Sequence, residues 1–599
     1  MTRLKLRPGC HFAPVPQGLH CSFHGAAFVV QGPALLFEAL DRRLGPLTDG
    51  VEASELAGGP GGSLLVPLLR VLADRGLLLD LDAAGGPPPT DPRHEEIVAH
   101  LEEHADQPYD LYRRLCRTPV AVTGTGPAAD AATRSLTRLA VGTAAGEDRS
   151  ADVTVQILTD AEQALPVAPT ADGPLTADGQ AAHGPGTGEP LTVRRSAAGG
   201  PPAPPEQVAP SAAGPTGSPA PDRPAGSPEP GIGPLTADGA GAPGALLPVS
   251  VGSGHAVVGP VLDEPAQVAG FRAAVRRVAG WLAVLPQGPA PMPVGAVLAG
   301  SLAARRVVDR ITGLAPVDGM LVVHGPTAEV TAVPLPDRTA TASWQPTDPD
   351  EPPGDTDPAV LTEPWRGLGR WLDPAGPEHR RPIAAVTLRP VLAPAAAPLT
   401  GWGEDEAAAR RHALLALLRS HVDVAGQEAT GDPAERACAG TTPAHATLDG
   451  LLRALAPLTL ATPGRTLPPT ALEHPTARAL YSALTDYHGR HFDLALHQLG
   501  DGAWHLATAR SPYGGLLAAE WGPSPASAAY AVLGTLFTAE TTGGTHPPTG
   551  TWCVEHLTEV ALTRTLNGLL AEHRVTVRSL TADPVLGPLP WTCARLLLH

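Results

Sequence analysis

A strand, a glycine-rich turn and a small-residue helix follow one another at residues 120–136, VAVTGTGPAADAATRSL. The apolar start is typical of a strand covered on both faces, and glycines permit the tight turn that leads into a helix. A unit of this kind belongs to a largely parallel sheet with helices on its faces. The segment therefore predicts an α/β domain in the middle of the chain, with a possible nucleotide turn.

The turn departs from a working nucleotide site in two respects. A phosphate-binding turn has the pattern G-x-G-x-x-G/A before a helix, and Gly124, Gly126 and Ala129 nearly match it. Pro127 removes one backbone N–H from the expected phosphate cradle. Lys5 is the only lysine in the chain and lies far from this turn. We therefore expect a degenerate turn and no bound cofactor.

Composition excludes several classes of partner. The 599-residue chain has a formal net charge of -18, which opposes binding to nucleic acid or to an anionic membrane surface. Its N-terminus lacks the apolar core of a signal peptide, and no apolar run is long enough to span a bilayer, so we expect a cytoplasmic protein. The six cysteines include no pair separated by two residues. Without such a pair we expect no metal site.

The chain divides into three predicted domains, residues 1–82, 93–335 and 360–599. Its length is too great for one hydrophobic core. Residues 169–243 are rich in proline, glycine and alanine, and we expect this insert to be disordered because it has few large apolar side chains to bury. The predicted fold class is α+β and α/β multidomain.

The first domain resembles the PqqD-like recognition element of ribosomal-peptide biosynthesis. CHFAPVP, GLHCSFHG and AAFVVQG read as three short strands. Three helices follow: the first runs from about Pro33 to Leu44, and the third runs from an N-cap at Ser63 to Gly76. The resemblance implies that a leader peptide pairs with a strand edge beside that helix. The implied leader-binding residues are Ala27, Phe28, Val29, Val30, Gln31, Leu68, Leu72 and Arg75. Two alternatives remain open: a purely structural core, and a DNA-binding winged helix.

The second domain resembles the ThiF-like adenylating fold found in partner proteins of azoline-forming enzymes. The segments that carry the resemblance are VAVTGTGPAADAATRSL, ADVTVQILTD, LLPVSVGSGHAVVGPVL and PVGAVLAGSLAARRVVDRITG, in this order. Adenylating members use a lysine on the nucleotide phosphates and commonly carry Cys-x-x-Cys zinc pairs. This domain contains neither. The resemblance therefore implies a retained fold without adenylation chemistry.

The third domain resembles a degenerate YcaO-type domain, the fold of ATP-using cyclodehydratases. GWGEDEAAARRHALLALLRSH and LLAAEWGPSPASAAYAVLGTLFTAET are among the matching segments. Active members place paired acids, E-x-x-E-R, on helices to hold magnesium on ATP. The corresponding positions here are Ala416, Arg419, Arg453 and Ala456. Glu540 is the one acid left on the third helix, and we expect it to be solvated or salt-bridged.

These resemblances together predict a non-catalytic subunit with no catalytic residues of its own. It would bind the leader of a precursor peptide and activate a separate YcaO cyclodehydratase that forms thiazolines or oxazolines. The two proteins would form a hetero-oligomer that acts in thiopeptide or related azole-peptide biosynthesis. An alternative is an enzyme in its own right, either an ATP-dependent cyclodehydratase or an adenylating enzyme. A third hypothesis, a winged-helix regulator, is opposed by the acidity of the chain and its lack of a basic recognition helix.

Overall fold

The protein is described by a computed structural model in which the described residues fall within one compact unit of the chain, Met1–Gln163 with Gly241–His599. The described residues are 3–33, 35–58, 61–143, 151–159, 244–286, 292, 294–316, 318–336, 344–347, 356–372, 382–427, 434–500, 504–543 and 549–599. The predicted disordered insert, residues 169–243, lies outside them. None of the described helices is both long and apolar enough to cross a membrane.

The N-terminal region contains two small antiparallel sheets and three helices. Its elements are β1 (Arg3–Leu6), β2 (His11–Val15), β3 (Gly18–Phe23), β4 (Ala26–Gln31), α1 (Leu35–Asp49), β5 (Val51–Glu52), α2 (Ala53–Ala57), α3 (Gly62–Asp74) and β6 (Leu78–Asp80). The strand orders are β2-β3-β4 and β5-β1-β6. The three short strands read from the sequence are thus confirmed, and β4 forms one edge of its sheet.

The third helix begins earlier than its sequence predicts. Gly61, with φ of +85°, occupies the N-cap position of α3, so the assignment of Ser63 as N-cap is wrong. Gly61 adopts the left-handed region at no steric cost, and the helix therefore begins before the serine. The helix predicted to end at Leu44 continues to Asp49 through Pro46, and four of its side chains are buried. Tertiary packing here outweighs the helix-breaking tendency of proline.

The middle region is built around one seven-stranded mixed sheet. Its elements are α4 (Glu95–His104), α5 (Pro108–Arg117), β7 (Pro119–Thr123), α6 (Pro127–Arg138), β8 (Gly142–Thr143), β9 (Val153–Thr159), β10 (Ala245–Val251), β11 (His255–Val258), α7 (Pro265–Ala283), α8 (Gly295–Thr312), β12 (Met320–His324) and β13 (Glu329–Val333). The strand order is β13-β12-β11-β10-β9-β7-β8, with β7 to β10 parallel and the remainder antiparallel.

The small residues of the glycine-turn segment serve helix packing. A Cβ atom added to Gly300 of α8 would lie 2.2 Å from the backbone oxygen of Ala128 in α6, so the two helices touch through their backbones. A Cβ at Gly124 would lie 2.7 Å from the backbone oxygen of Ile157 in β9. Glycine and alanine are required in this segment because helix and strand approach so closely. The pattern has a structural explanation that needs no ligand.

The C-terminal region combines several sheets with five helices among the described residues. Its elements are β14 (Trp344–Pro346), β15 (Gly369–Leu372), β16 (Ala384–Pro390), β17 (Leu399–Gly403), α9 (Glu406–Gln427), β18 (Arg436–Gly440), α10 (Pro443–Leu460), β19 (Arg465–Thr466), α11 (Pro475–Ser482), β20 (Asp493–Leu499), β21 (Trp504–Arg510), β22 (Leu516–Gly522), α12 (Pro525–Thr542), α13 (Glu559–Glu572), β23 (Val575–Leu580), β24 (Ala582–Asp583), β25 (Gly587–Pro588) and β26 (Thr592–Leu598). The two larger sheets have the orders β14-β23-β26-β18 and β19-β20-β21-β22.

A buried ion pair links the middle and C-terminal regions. Arg277 of α7 donates from Nη2 to Oδ2 of Asp583, at 2.8 Å, and both side chains are almost fully buried. The backbone N–H groups of Val585 and Leu586 donate to the other carboxylate oxygen. Burial would raise the pKa of Asp583, but Arg277 and His421 outweigh it and hold that pKa well below its usual range. The observed architecture is a mixed α/β fold with several sheets.

Candidate functional site

The predicted leader-binding strand lies at a sheet edge. Strand β4 pairs with β3 alone among the described strands, so one side of its backbone has no strand partner. Phe28 and Val30 point toward the N-terminal core, whereas Val29, on the opposite face, is 45% exposed. The guanidinium of Arg75 lies over the ring of Phe28, 5.2 Å from its centroid. Strand edge, aromatic ring and cation thus lie side by side, as a peptide-binding edge requires.

Two other residues predicted at this groove lie in the core. Leu68 and Leu72 of α3 are 2% and 0% exposed and pack among the leucines of the N-terminal core. Their side chains face inward because α3 packs against α1, α2 and β6. In this structure they therefore offer no surface to a peptide.

The glycine-rich turn has the shape of a nucleotide turn without its chemistry. Gly124 and Gly126 have φ values of +97° and +94°, and α6 begins directly at Pro127. Ala129, the third position of the pattern, is buried at 7% exposure. Asp130 lies in the first helical turn, where its negative charge opposes an anion that the helix N-terminus would otherwise attract. The turn therefore provides little that would hold a phosphate.

The C-terminal region contains a concentration of buried charge that we call the buried acid cluster. It is formed where α9, α10, β22, α12 and the short helix Trp552–His556 meet. The members share burial and mutual hydrogen bonds or charge contacts; they are Arg419, Asp449, Arg453, Glu520, Thr535, Thr551 and Glu555.

Asp449 is the charged centre of this cluster. Its two carboxylate oxygens accept 2.9 Å hydrogen bonds from Nε of Arg419 and Nε of Arg453. Thr551 and the backbone N–H of Ala439 also donate to it. Burial acts to raise the pKa of Asp449, but the two arginines outweigh it and hold that pKa at about 2. Asp449 is thus a fixed anion, and its charge is fully used in holding the arginines.

Glu520 lies in a more apolar part of the same cluster. It is 2% exposed and accepts hydrogen bonds from Thr535 Oγ1 at 2.7 Å and from the backbone N–H of Trp552 at 3.3 Å. Burial raises the pKa of Glu520 to about 7, since these donors and the more distant arginines compensate only in part. A Cβ atom at Gly550 would lie 1.8 Å from Glu520 Oε1, so the carboxyl fits only because residue 550 is glycine.

Glu555 is the least buried of the three acids in the cluster. Its side chain is half-buried, and Oε1 is shielded from solvent without a hydrogen-bond partner among the described residues. Burial raises the pKa of Glu555 to about 8, although Arg419 acts in the opposite direction. This carboxyl is therefore largely protonated at neutral pH and can donate a proton. A protonated acid beside a fixed carboxylate is the arrangement that enzymes use for acid–base chemistry.

Aromatic rings fix the geometry around Glu520. Trp402 and Trp552 stack with ring centroids 4.4 Å apart, and Tyr530 meets both edge-on. Trp402 donates from its indole nitrogen to Thr535, which in turn donates to Glu520. Two consecutive hydrogen bonds, from Trp402 to Thr535 and from Thr535 to Glu520, thus fix the carboxyl relative to the packed aromatic rings.

The magnesium site expected in an active YcaO-type domain does not fit the residues present. The corresponding positions, Ala416, Arg419, Arg453 and Ala456, offer no carboxylate, and the two arginines bind Asp449 instead. Magnesium prefers hard oxygen ligands. Glu540 pairs with Arg490 through a 2.7 Å contact, as expected for a salt-bridged residue. No catalytic step is therefore assigned to a magnesium–nucleotide group at these positions.

A separate cleft of about 300 Å³ lies in the middle region beside α7. Phe271, Asp318 and Pro584 are among its lining residues. Because Asp318 is the one acid in this lining and no base accompanies it, the cleft offers space without paired acid–base groups. It is a weaker candidate for chemistry than the buried acid cluster.

Sequence reasoning missed the acids of the cluster. Asp449, Glu520 and Glu555 come from three separate segments and match no short motif, so no spacing could bring them together. A usable signal exists in AAEWG, Ala518–Gly522, where a glutamate stands within an otherwise apolar strand. A lone acid in a buried strand requires a partner or a raised pKa.

Comparison with known proteins places the fold. No protein-family model matches the chain, and no curated protein sequence matches it. A heterocyclase solved in complex with substrate and cofactor is 12% identical, with a TM-score of 0.53 over 99% of this chain and 94% of that chain. The heterocyclase TruD is 11% identical with a TM-score of 0.48 over 100% and 94%. E. coli MccB with MccA-N7isoASN is 10% identical with a TM-score of 0.30 over 56% and 96%.

The first of these likenesses shows a shared fold over almost the entire chain, whereas the TM-scores of the other two are too low to carry an argument. It contradicts the expectation of a non-catalytic subunit, because the architecture that the chain shares from end to end is that of an enzyme. The fold is similar to that of the solved heterocyclase over 99% of this chain.

Proposed function

We propose that this protein is itself a peptide heterocyclase, a cyclodehydratase that converts Cys, Ser or Thr residues of a precursor peptide into azolines. The observation that carries the proposal is the shared fold with a heterocyclase over 99% of this chain. The likeness supports the fold, and the catalytic activity is our proposal.

The reaction requires proton transfer at two points. The thiol or hydroxyl of the peptide adds to the preceding carbonyl carbon, and the former carbonyl oxygen then leaves while a C=N bond forms, with net loss of one water. The nucleophile must lose a proton and the departing oxygen must be protonated or otherwise activated. General acid–base groups with pKa values near the working pH serve such steps.

Glu555 is the proposed proton donor. Burial raises its pKa to about 8, so that it carries a proton at neutral pH, and it is the least buried residue among the three acids of the cluster. Glu520 and Asp449 act as positioning residues behind it, because both are almost completely buried and do not reach a substrate. Arg419 lies between the fixed anion and the protonated acid and couples their charges.

Substrate selection would rest on strand β4. A leader peptide added to this free edge would form backbone hydrogen bonds with Ala27, Val29 and neighbouring residues, and would contact the Phe28–Arg75 pair. This arrangement tethers the precursor, so that its core segment reaches the chemistry at a high effective concentration. Leader binding and ring formation are separate properties and can be tested separately.

The direct test of Glu555 is the rate of ring formation in the Glu555→Gln variant. The purified full chain is incubated with a leader-bearing peptide encoded beside its gene, with and without ATP and Mg²⁺, and loss of water is followed by mass spectrometry. We expect the variant to be slower by about 100-fold or more, as for removal of a general acid. Glu473→Gln, which changes an exposed glutamate, is the matched control and should retain the wild-type rate.

The leader site is tested by affinity for the leader peptide alone. Phe28→Asp should weaken binding, because it places a charge beside the free edge and breaks the contact with Arg75. Val66→Asp, at an exposed position on α3, is the control. Equal affinity of the Phe28 variant and wild type would remove the proposed leader site and leave the proposed chemistry intact.

A further inference from the structure

A second group of potential ligand side chains, which contains two histidines, lies outside the buried acid cluster. His24, Glu103 and His104 each present one potential ligand atom, and these atoms all lie within 4.8 Å of one another. His24 comes from the turn between β3 and β4, whereas the other two end α4. The three residues therefore join the N-terminal hairpin to a helix of the middle region.

The hydrogen bonds of both imidazoles favour metal binding. Nε2 of His24 lies 3.0 Å from the backbone oxygen of Glu103, and Nδ1 of His104 lies 2.9 Å from the backbone oxygen of His100. A carbonyl can only accept, so each of these nitrogens carries the proton and the other nitrogen of each ring carries the lone pair. Histidine ligands of metals are typically oriented by such a donation from the second nitrogen.

The carboxylate of Glu103 completes the set. One of its oxygens lies 3.9 Å from Nδ1 of His24, the nitrogen of that ring with the lone pair, which is too far for a direct hydrogen bond. In the ring of His104 the nitrogen with the lone pair is Nε2, because Nδ1 donates to His100. The three side chains are 37%, 31% and 36% exposed, so they are reachable from solvent. A cation between the three side chains would bind one ligand atom of each, since these atoms lie within 4.8 Å of one another.

His24 and Gly25 form the two-residue turn of the β3–β4 hairpin. His24 has φ of +52°, in the left-handed region that non-glycine residues rarely adopt. Its ring is packed against Phe23 on one side and His104 on the other. Gly25 has φ of +74°, and positive φ at both central residues is what a two-residue hairpin turn requires.

The neighbouring cation does not occupy the set. Arg305 donates from Nη2 to Nε2 of His100, and the same guanidinium pairs with Asp309 at 3.1 Å. The positive charge of Arg305 is therefore partly neutralised, and His100 is committed to it. His100 thus serves as a support for His104 rather than as a fourth ligand.

We propose that His24, Glu103 and His104 form a binding site for a borderline divalent transition metal such as Zn²⁺. Two imidazole nitrogens and one carboxylate oxygen are a ligand set that zinc accepts, with a fourth tetrahedral position open to water. The cysteine spacing of the sequence predicted no metal site; this set was missed because its members lie about 80 residues apart and are joined only by the fold. The metal would connect the β3–β4 hairpin, which includes strand β4, to the end of α4.

The test is metal binding by the full chain purified without a histidine tag. Chelator-treated protein is titrated with Zn²⁺ by calorimetry, and with Co²⁺, whose visible absorption reports tetrahedral coordination. We expect one tight equivalent per chain and a rise in the melting temperature when Zn²⁺ is bound. His24→Ala and His104→Ala should each weaken binding by at least about 100-fold, the upper end of the loss known for removal of a supporting partner.

The control variant His491→Ala changes an exposed histidine in the C-terminal region and should bind Zn²⁺ as the wild type does. Circular dichroism spectra confirm that the variants are folded, and the exposure of both histidines makes their replacement structurally mild. No tight equivalent in the wild type, or equal affinity in wild type and both variants, would overturn the proposal. Neither result depends on heterocyclase activity.

Discussion

The two sides of the buried acid cluster show how neighbours decide the state of a carboxyl. Asp449 and Glu520 are both almost fully buried. Asp449 contacts two arginines directly and has its pKa held at about 2, whereas Glu520 faces tryptophans and a threonine and has its pKa raised to about 7. Burial opposes the charged form in both cases, and only direct ion pairs reverse it. One cluster therefore stores a fixed anion beside exchangeable protons.

The largest expected effect comes from removing the fixed anion. Asp449→Ala leaves Arg419 and Arg453 buried without a counter-charge, and should lower the free energy of unfolding by about 3–5 kcal/mol. Urea unfolding provides the measurement. The control, Asp41→Ala, removes an exposed aspartate from α1 and should have little effect. Similar losses in the two variants would mean that the arginine side of the cluster is not held by Asp449.

The raised pKa of Glu520 should affect the pH dependence of the free energy of unfolding. Glu520 has a pKa near 4.5 when unfolded and about 7 when folded, so its stabilising contribution is complete below pH 4.5 and is lost as the pH rises through 7. The slope contributed by one such group approaches about 1.4 kcal/mol per pH unit. Glu520→Gln should flatten the decline in unfolding free energy between pH 5 and 7.

Asp449 gives the reverse sign, because its lowered pKa adds stability above its ordinary value of 3.8 that is lost as the pH falls toward 2. Glu473→Gln is again the control for the glutamate variant, and should leave the profile between pH 5 and 7 unchanged. If Glu520→Gln showed the same slope as wild type, the carboxyl would be ionised in the folded protein and the contrast with Asp449 would fail.

A smaller effect is expected from crowding the apolar side. Gly550→Ala places a Cβ atom 1.8 Å from Glu520 Oε1 and should cost about 1–3 kcal/mol of stability. Gly568→Ala in α13 is the matched control, since a Cβ there meets no atom within 4 Å and should stabilise the helix slightly. Thermal unfolding of the two variants, measured side by side, should shift in opposite directions.

The smallest effect concerns the relay to Glu520. Thr535→Val removes the hydrogen bond from Thr535 to Glu520 and the one that Thr535 accepts from Trp402, and should cost about 1 kcal/mol. Because that donation lowers the pKa of Glu520, the pH profile should also shift to higher pH. Thr541→Val, on the same helix but bonded to a backbone carbonyl, should not move the pH profile.

Local patterns in the sequence predicted the elements well and the site poorly. The three strands ending at Gln31 and the turn at Gly124 follow from alternation and from glycine placement, which act over a few residues. The helix start at Gly61 and the extension to Asp49 did not, because tertiary packing decides them. The cluster acids were invisible for the same reason, since Asp449 and Glu555 meet only after α10 and Trp552–His556 pack together.

The absence of magnesium carboxylates at Arg419 and Arg453 also misled the functional inference. The missing motif led to the expectation of a non-catalytic subunit, although the same arginines hold another acid, Asp449, at that place. The sequence shows that the expected magnesium-binding carboxylates are missing. It does not show that folding brings Asp449, Glu520 and Glu555 together. The likeness of fold to a solved heterocyclase extends over 99% of the chain, and no single sequence motif indicated a similarity of that extent.

The account is tested most directly by the mass of a peptide substrate after incubation with this chain and no other protein. The leader-bearing peptide is supplied with ATP and Mg²⁺, and the product is examined for loss of water at Cys, Ser or Thr. We predict water loss with the wild-type chain and much slower loss with Glu555→Gln. A substrate mass unchanged by the folded wild-type chain, with water lost only after a second enzyme is added, would contradict the account.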